Sequence, residues 1–503
     1  MPKLLGIDVG TSSTKAVLID DQGRLIDFAT KDHPTFNPVP GHQEQDPQHW
    51  WEGACSTVRQ IMEKTGENPA QIAGISFSGQ GCACLPVANT GEPLGRALIW
   101  TDERAVGQKA RIREILGADL GKITGNDIYD QPEPRMMWIR DSQPDRYQKA
   151  AKFLSTVSYL ILRFAGKMAA NISDWGFHLA FDRTTKTWNY QFLEAVGLDS
   201  NKFPQLYAPH EIVGRLCEQA AEETGLMPGT PLVAGGQDAT VAALAVGVLE
   251  AGQSLNMRGT TDLLSFCTDR VDYDPDLYTT VAVLPGLYMS YDMKEVVAAG
   301  GSYRWLAYML FGETASYHFE TMNDLAQTAP PGANDLLYLP YLLITTNPEP
   351  DLQRAGSFFG LNTSTTRGDL CRAVMEGTAY ALREAAERLA RADMNIIELR
   401  ATGGPTKSPL WNQITADVTG LPMLMPAISA GAAYGAALLA GLGVGVFPMD
   451  DGYVTLRSII KLHRHFEPQA ETRPVYDRLY NAFCRLAKNT SGIAPQLRTE
   501  TSD

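Results

Sequence analysis

The first twenty residues contain the feature that most constrains the fold, a short polar turn between two apolar segments. Residues 4–9 and 16–19 are apolar and rich in β-formers, and the turn GTSSTK separates them, which predicts two antiparallel strands joined by a hairpin. Gly10 lets the backbone approach a ligand closely, and Lys15 adds a positive charge. Hydroxyl and backbone N–H groups can converge there on anionic oxygens, so the turn suits a phosphate. An ordinary hairpin with a polar tip has the same spacing.

Asp8 lies just before this turn, inside an apolar strand. A buried carboxylate is costly unless it has a partner, and beside a phosphate site it most often deals with a bound Mg²⁺. We therefore interpret Asp8 as a candidate metal ligand.

The same pattern returns about half a chain later. Residues 253–257 and 263–267 predict two strands, and the turn between them, Arg258-Gly-Thr-Thr-Asp262, is again built on Gly-Thr. Such an internal duplication predicts two related lobes with a cleft between them, each aiming one hairpin at a shared phosphate chain. We place the boundary near residues 247–252, which gives an N-terminal domain 1–247 and a C-terminal domain 248–503.

Charge and cysteine usage narrow the class of protein. The 503 residues carry 43 Lys and Arg against 57 Asp and Glu, a formal charge of −14, which argues against nucleic-acid binding and against docking to an anionic membrane. Seven scattered cysteines fit a reducing cytoplasm better than a disulfide framework. Residues 418–449 carry no charge, but prolines and glycines interrupt them, so we predict a buried helix over 431–442 rather than a membrane span.

Three predicted strands end in polar residues, where sites on α/β folds are usually built. The strand at 72–77 ends in SGQG, that at 97–100 ends in TDER, and that at 231–234 ends in GGQD, followed by a helix over 239–246. Asp238 is either a chemical group at this strand end or the N-cap of that helix. Helical patterns cover 105–116, 134–165 and 369–392, and a strand at 398–402 runs into the turn Gly403-Gly404-Pro405 before a helix over 409–419.

Several ordered motifs now resemble one family, the FGGY carbohydrate kinases of the actin-like ATPase superfamily, and within it the xylulose kinases. The motifs that carry the resemblance are GIDVGTSSTK at the start, GHQEQDPQHWW at 41–51, LIWTDERA at 98–105, Ser173-Asp174, VAGGQDA at 233–239, the second Gly-Thr turn, GSFFGLNTSTTRGDLCRAVMEGTAYAL at 356–382, the turn at 403, and GAAYGAALLAG at 431–441. The likeness covers nearly the whole chain.

The resemblance implies an α/β fold of two ribonuclease-H-like lobes, with mixed β-sheets flanked by helices and a deep cleft between the lobes. It implies transfer of the γ-phosphate of ATP to a hydroxyl of a ketopentose or related polyol, with xylulose the first choice, Asp238 the catalytic base and possible homodimers. The implied site residues are Gln80, Gly81, Cys82, Asp102, Arg104 and Asp238 for the sugar, Gly10, Thr11, Ser12, Ser13, Lys15, Gly259, Thr260, Thr261, Gly403, Gly404 and Asn412 for ATP, and Asp8 with Asp238 for Mg²⁺.

The chain also departs from the xylulose kinase pattern. Gln-Gly-Cys-Ala at 80–83 replaces Gln-Met-His-Gly, Ala239 replaces an asparagine, and residues 343–348 replace a Gly-Glu-Arg-Thr-Pro loop. Arg135 stands where the first family signature has lysine, and Pro405, which lacks an N–H, replaces a glycine. Each loss near the sugar removes a polar partner, so selectivity among hydroxyl patterns is expected to differ. Ribulose, an erythritol-like polyol and an autoinducer-type sugar are alternative substrates.

Two other readings share parts of this pattern. An actin-like nucleotide switch would keep both hairpins without needing Asp238, and a degenerate family member would bind sugar without turnover.

Overall fold

A computed structural model describes residues 1–271, 273–292, 297–312, 318–342, 354–428, 431–493 and 496. The strands are β1 Lys3–Val9, β2 Ser13–Asp20, β3 Leu25–Asp32, β4 Glu44–Gln45, β5 Ile72–Gly79, β6 Leu85–Val87, β7 Ala97–Leu98, β8 Lys152–Leu154, β9 Ala169–Asn171, β10 Phe181–Asp182, β11 Thr187–Trp188, β12 Gln205–Tyr207, β13 Ile212–Arg215, β14 Pro231–Gln237, β15 Ser254–Arg258, β16 Thr261–Thr268, β17 Leu277–Val281, β18 Tyr288–Asp292, β19 Val297–Ala298, β20 Leu337–Leu339, β21 Ser357–Phe359, β22 Leu399–Thr402, β23 Met423–Pro426 and β24 Leu462–Phe466.

The helices are α1 Pro47–Thr65, α2 Val106–Leu116, α3 Leu120–Thr124, α4 Glu133–Ser142, α5 Pro144–Lys149, α6 Thr156–Ala165, α7 Tyr190–Val196, α8 Glu218–Thr224, α9 Asp238–Ala245, α10 Gly300–Phe311, α11 Phe319–Thr328, α12 Arg367–Arg391, α13 Pro409–Thr419, α14 Gly431–Gly443, α15 Val454–Ile459 and α16 Arg473–Thr490. None of these helices combines the length and the apolar character that crossing a membrane requires.

The chain divides into two compact units, each assembled from separate stretches of sequence. Unit 1 contains Met1–Ala251, Thr268–Ser290 and Ala430–Lys461, and unit 2 contains Gly252–Cys267, Tyr291–Ser429 and Leu462–Asp503. Each unit has its own buried apolar core, which in unit 1 includes Trp50, Trp51 and Phe77 and in unit 2 includes Tyr380 and Trp411.

Unit 1 is built on a six-stranded mixed sheet of order β13-β14-β5-β1-β2-β3. The central strands β14, β5 and β1 are parallel, and β2, β3 and β13 run antiparallel to their neighbours. Helix α1 packs on β2 and β3, while α14 packs on β1 and β5. The predicted antiparallel pair at the start of the chain, β1 and β2, is confirmed, and β3 pairs antiparallel with β2 as a third strand.

Unit 2 repeats this arrangement. Strands β16, β15, β22, β23 and β24 are neighbours in that order, with β15, β22 and β23 parallel and the two flanking strands antiparallel. The pair β1–β2 therefore corresponds to β15–β16, β5 to β22, β14 to β23 and β13 to β24. The predicted internal duplication is thus present as two sheets with the same core topology.

Local sequence signals explain where the main helices begin and end. Asp46 caps α1 by accepting the Gln48 N–H at 2.9 Å, Pro47 occupies its first turn, and Gly66 ends it in a left-handed conformation with φ of 65°. Thr366 and Asp369 form a capping box at the start of α12. The helix predicted at 409–419 is confirmed as α13.

Two predicted elements were wrong in extent. The helical pattern over 134–165 is split into α4, α5, β8 and α6. Gln143 precedes Pro144 and adopts φ of −135° and ψ of 58°, because a residue before proline disfavours the helical region, and Ser155 caps a new helix after β8. The strand predicted at 97–100 contains only two residues, and Trp100 beyond it is over one-third exposed.

Candidate functional site

Two carboxylates meet at one edge of the unit 1 sheet. In the strand register Asp8 of β1 lies opposite Ser78 of β5, and on the other side of β5 Gly236 of β14 also lies opposite Ser78. Asp238 follows two residues later, at the carboxyl end of β14. Because the three strands are parallel, their ends bring Asp8 and Asp238 together at the edge where α/β folds build their sites.

Asp238 is the first residue of α9, so its alternative interpretation as the N-cap was wrong. Gln237 is the cap, and its Oε1 accepts the N–H groups of Ala239 at 3.1 Å and Thr240 at 3.3 Å. The Oδ1 atom of Asp238 accepts hydrogen bonds from the Ala239 N–H at 2.7 Å and from the Gln237 amide. The side chains of Gln237 and Asp238 thus accept hydrogen bonds from the N–H groups at the start of α9 that have no partner within the helix.

The electrostatics of this edge favour a protonated acid or a bound cation. Burial, then the charge of Asp8, and finally that of Asp174 raise the pKa of Asp238 to about 7, with the Ala239 N–H opposing them. Burial also raises the pKa of Asp8, against the opposing effects of Ser78 and Lys15. The Oδ1 atom of Asp8 is buried and has no hydrogen-bond partner among the described residues.

The donor set fits Mg²⁺. Among the described residues no group of three or more His, Cys, Asp or Glu side chains could hold a metal on its own. Mg²⁺ typically takes one or two carboxylates and fills its shell with water and substrate phosphates. Two close carboxylates, one with an orphaned oxygen, are what such a shared site needs.

The first hairpin is a four-residue turn held by its own backbone and by two side chains. The Gly10 N–H donates to the Ser13 carbonyl at 3.0 Å. The Gln45 amide donates to the Thr11 carbonyl at 2.6 Å, and the Trp100 indole N–H donates to the Thr11 hydroxyl at 3.0 Å. The turn residues themselves are partly or fully exposed, with Ser12 the most open.

Gly10 is not required by the packing of the protein. A Cβ atom there would lie 3.6 Å from the nearest atom, the Ser13 oxygen, and its φ is not in the left-handed region. By contrast, a Cβ atom on Gly6 would lie 2.1 Å from the Ala433 oxygen. Glycine at position 10 is therefore consistent with a ligand that approaches the backbone, as the sequence predicts.

Gln80, Gly81 and Cys82 follow β5 directly. Gln80 is buried, its N–H donates to the Val9 carbonyl at 2.8 Å, and its amide donates to Gln45 Oε1 at 2.7 Å, which leaves its own Oε1 buried without a partner in the described structure. A Cβ atom on Gly81 would lie 2.8 Å from the ring of Phe177. Cys82 has φ of 61°, an unusual value for a residue other than glycine.

Phe177 belongs to an aromatic cluster that the sequence analysis missed. Its ring lies 5.0 Å from that of Tyr278, which in turn lies 4.7 Å from Tyr129. The ring thus occupies space beside Gly81 that a larger side chain at position 81 would need. The glycine at 81 was the only sequence signal for it.

Asp102 and Arg104 engage each other rather than standing free. Arg104 Nε and Nη2 each lie 2.8 Å from an oxygen of Asp102, and Nη2 also reaches Glu44 at 2.9 Å. The Gln43 N–H donates to the Asp102 carboxylate at 2.7 Å, and the Arg104 guanidinium lies 5.0 Å from the Trp138 ring centroid. Both side chains are almost fully buried, so they hold the loop after β7, and contact with a sugar stays a prediction.

Asp174 is a third carboxylate that the site prediction omitted. It is fully buried, Ser155 donates to its Oδ2, and its Oδ1 has no partner among the described residues. Burial raises its pKa to about 7, with Ser155 opposing. The Ser173-Asp174 motif was the available signal, since a buried acid needs a reason to be there.

Unit 2 carries the second hairpin. The Gly259 N–H donates to the Thr261 carbonyl at 2.8 Å, and the N–H groups of Gly300 and Gly301 donate to the carbonyls of Gly259 and Thr260 at 3.1 and 2.9 Å. This three-residue turn is therefore fixed from the start of α10. As at Gly10, a Cβ atom on Gly259 would meet nothing closer than 3.7 Å.

The turn predicted to contact adenosine lies on the same sheet edge. Gly403 has φ of 108°, and a Cβ atom there would lie 1.8 Å from the Arg258 oxygen, whereas Gly404 has no atom within 4 Å of its Cβ position. Residues Gly404–Lys407 form a single 3₁₀ turn, so Pro405 is accommodated. The buried Asn412 amide donates to the Thr406 carbonyl at 2.8 Å and anchors this turn; a contact with nucleotide stays a prediction.

The replaced loop at 343–348 lies outside the described residues. The remaining predicted residues fall into two sets. Those of unit 1 are Asp8, Gly10, Thr11, Ser12, Ser13, Lys15, Gln80, Gly81, Cys82, Asp102, Arg104 and Asp238, and those of unit 2 are Gly259, Thr260, Thr261, Gly403, Gly404 and Asn412.

Comparison with known proteins gives consistent matches over the whole length. Residues 3–245 match the N-terminal domain, and residues 275–444 the C-terminal domain, of the FGGY family of carbohydrate kinases. The chain is 30% identical to a xylulose kinase of Staphylococcus epidermidis over 505 residues, 99% of each chain. It is 26% identical to an autoinducer-2 kinase of Klebsiella pneumoniae over 512 residues, 98% of this chain and 95% of that one.

Solved structures agree. A xylulose kinase from Rhodospirillum rubrum superposes with a TM-score of 0.85 at 27% identity, covering 97% of this chain and 98% of that one. A gluconate kinase from Lactobacillus acidophilus has a TM-score of 0.87 at 21% identity, covering 99% and 100%, a likeness of fold.

Proposed function

The chain belongs to the FGGY family of carbohydrate kinases, which makes it a phosphotransferase that phosphorylates a sugar at the expense of ATP, and we propose that Asp238 is the base of this reaction. One observation carries the proposal: Asp238 lies at the carboxyl end of β14 with a pKa raised to about 7 by burial and by two neighbouring carboxylates. A base with a pKa near the working pH combines availability with the strength to accept a hydroxyl proton.

Asp8 and Asp238 are proposed to hold Mg²⁺ together with phosphate oxygens. The ion, when bound, neutralises charge on the transferred phosphoryl group. The orphaned Asp8 oxygen and the mutual repulsion of the two carboxylates support this assignment.

ATP is proposed to bind through the two hairpins and the turn at 403. Gly10, Thr11, Ser12, Ser13 and Lys15 would contact phosphates from the N-terminal domain 1–247, and Gly259, Thr260 and Thr261 from the C-terminal domain 248–503. Gly403, Gly404 and Asn412 would line the adenosine end. The unhindered Cβ positions of Gly10, Gly259 and Gly404 support close approach of a ligand.

The sugar is proposed to be a ketopentose, with xylulose the first choice because relatives over the full length are xylulose kinases. Gln80, Gly81 and Cys82 would contact it, with Asp102 and Arg104 behind them. One observation favours a second candidate, another sugar or polyol. The Phe177 ring occupies the space beside Gly81, so an apolar group stands where a polar side chain could otherwise contact the sugar. An apolar wall cannot hydrogen-bond the hydroxyl pattern that a polar wall would select.

The test measures ADP release with Mg-ATP and a panel of ketoses, aldoses and polyols. The Asp238→Asn variant keeps the shape of the side chain and should lower kcat by about 10²–10⁴-fold. Asp46→Asn, at the start of α1 in the same unit, is the matched control, since asparagine caps a helix as well as aspartate. Absence of sugar-stimulated turnover by the unmodified protein, or full activity of Asp238→Asn, would contradict the proposal.

A further inference from the structure

Arg135 makes an unusual set of hydrogen bonds from the first turn of α4. Its side chain is 1% exposed. Nη1 donates to the carbonyls of Trp100 and Asp102, both at 3.3 Å, and Nη2 donates to the carbonyls of Cys82 at 2.7 Å and Asp130 at 2.5 Å. A single guanidinium therefore binds four backbone carbonyls.

These carbonyls come from three separate loops. Cys82 lies after β5, Trp100 and Asp102 lie after β7, and Asp130 lies before α4. Trp138, three residues further along the same face of α4, contacts the Arg104 guanidinium at 5.0 Å. One face of α4 thus supports both of the loops that carry the proposed sugar contacts, residues 80–82 and 102–104, which we call the sugar-site loops.

The chemistry of these contacts is geometric rather than ionic. Arg135 forms no ion pair with the described residues, although burying a cation is costly. Four carbonyl dipoles compensate it instead. A guanidinium presents five donors in a rigid plane, whereas a lysine ammonium has three donors on one nitrogen and cannot reach acceptors on two sides.

We propose that Arg135 is a positioning residue of the sugar site, which sets the spacing between the two sugar-site loops. The inference rests on the proposed function, because it takes these loops to be the ones that bind sugar. It gives a reason for arginine at this position, where a lysine could not satisfy the same four carbonyls.

The loop after β7 extends this role to the phosphate hairpin. Trp100 offers its carbonyl to Arg135, and its indole N–H donates to the Thr11 hydroxyl at 3.0 Å. The same residue therefore ties the sugar-site loops to the first hairpin.

The test compares Arg135→Lys with Arg140→Lys. Arg140 lies on the same helix and also donates to two backbone carbonyls, those of Val196 at 2.6 Å and Gly197 at 2.8 Å, but on a different loop. For Arg135→Lys we expect KM for the sugar to rise about tenfold or more, since buried carbonyls lose their donors and the loops shift. KM for ATP should rise less than KM for the sugar, because only the Trp100 side chain joins these loops to the first hairpin. The melting temperature should fall as well, since buried carbonyls lose donors, so KM is measured at a temperature at which both variants are folded.

Each outcome decides between separate claims. Equal sugar KM values in both variants, or a rise in KM for ATP as large as the rise in KM for the sugar, would overturn the positioning role. Arg135→Gln, which keeps an amide donor, provides a second variant; failure of both Arg135 variants to fold would assign the residue to the core and also overturn the proposal. An unmodified protein inactive on every sugar would instead contradict the proposed function.

Discussion

The two hairpins are built alike but carry their charges in opposite order. In the first hairpin the acid is on the leading strand, since Asp8 of β1 lies opposite Lys15 of β2. In the second the acid is on the returning strand, since Arg258 of β15 lies opposite Asp262 of β16. Duplication has kept the backbone device while exchanging the strand that carries the carboxylate.

The two carboxylates also differ in their partners. Asn256 donates to Asp262, Arg258 Nε lies 3.4 Å from it, and the Arg258 guanidinium reaches Asn412 and stacks 5.1 Å from the Trp411 ring centroid. Each of the two acids keeps one buried oxygen without a hydrogen-bond partner among the described residues, but Asp8 faces a second acid, Asp238. The carboxylate of the second hairpin is therefore balanced by an arginine of the same hairpin, whereas the proposed balance for the first is a bound Mg²⁺.

The largest effects are expected when Asp8 and Asp262 are each replaced by asparagine, which tests whether the first acid serves catalysis and the second serves stability. Asp8→Asn should lower kcat by about 10²–10⁴-fold and leave the free energy of unfolding unchanged or higher, because it removes a buried charge next to Asp238. Asp262→Asn should cost about 3–5 kcal/mol in unfolding free energy, since it leaves Arg258 buried without its counter-charge. Steady-state kinetics measures kcat, and urea denaturation measures the free energy of unfolding, for both variants. The comparison breaks if Asp8→Asn is the variant that unfolds more easily.

The second largest expected effect is the pH dependence of activity and stability that Asp238, close to Asp8 of the first hairpin, confers. With a pKa near 7, Asp238 is mostly protonated at lower pH, so kcat/KM should fall roughly tenfold for each pH unit below that value. The raised pKa of Asp238 has the opposite effect on the free energy of unfolding. The folded state holds a proton that the unfolded state releases above its ordinary value of 3.8, so unfolding free energy should decrease as pH rises from there towards 7.

The contribution of Asp238 is the difference between the unfolding free energies of the unmodified protein and of Asp238→Asn, measured across pH. The difference is needed because Glu133 and Asp174 also have pKa values raised to about 7 and remain in the variant. A difference profile that is flat between pH 4 and 7 would contradict the raised pKa of Asp238.

The smallest effect tests what the two hairpins share. Gly10→Ala and Gly259→Ala should each change unfolding free energy by less than about 1 kcal/mol, because both Cβ positions are open. Each should raise KM for ATP by about tenfold, since a methyl group would occupy the path of a phosphate. Gly6→Ala, whose Cβ would overlap the Ala433 oxygen, is the steric control and should unfold. An effect on KM in only one hairpin would show that the other has lost its contact with the nucleotide.

Much of the fold could be predicted because the signals were local or repeated. Periodicity and turn residues predict the opening hairpin, α12, α13 and α14, and the repeated Gly-Thr turn predicts two equivalent sheets. The stretch 134–165 failed because its apolar pattern hid the break that Pro144 and Ser155 impose.

The site was harder to predict because side-chain partners are set by the tertiary structure. Nothing in sequence spacing indicates that Asp102 and Arg104 satisfy each other, that Phe177 lies beside Gly81, or that Arg135 binds carbonyls from three loops. Asp238 was predicted because it directly follows the end of a strand, whereas Asp174 was missed because its side-chain partner, Ser155, lies 19 residues away in the chain.

The helix α14 has a consequence for how the chain is made. It lies far along the sequence, yet the Cβ positions of Gly6 and Gly435 fall 2.1 Å from the oxygens of Ala433 and Val241, so the helix fits against β1 and α9 at backbone distance. On the ribosome, β1 emerges more than 400 residues before this helix does. The part of the N-terminal sheet that α14 covers, chiefly β1 and β5, therefore stays exposed until translation is almost complete, and a chaperone can bind that apolar surface during this interval.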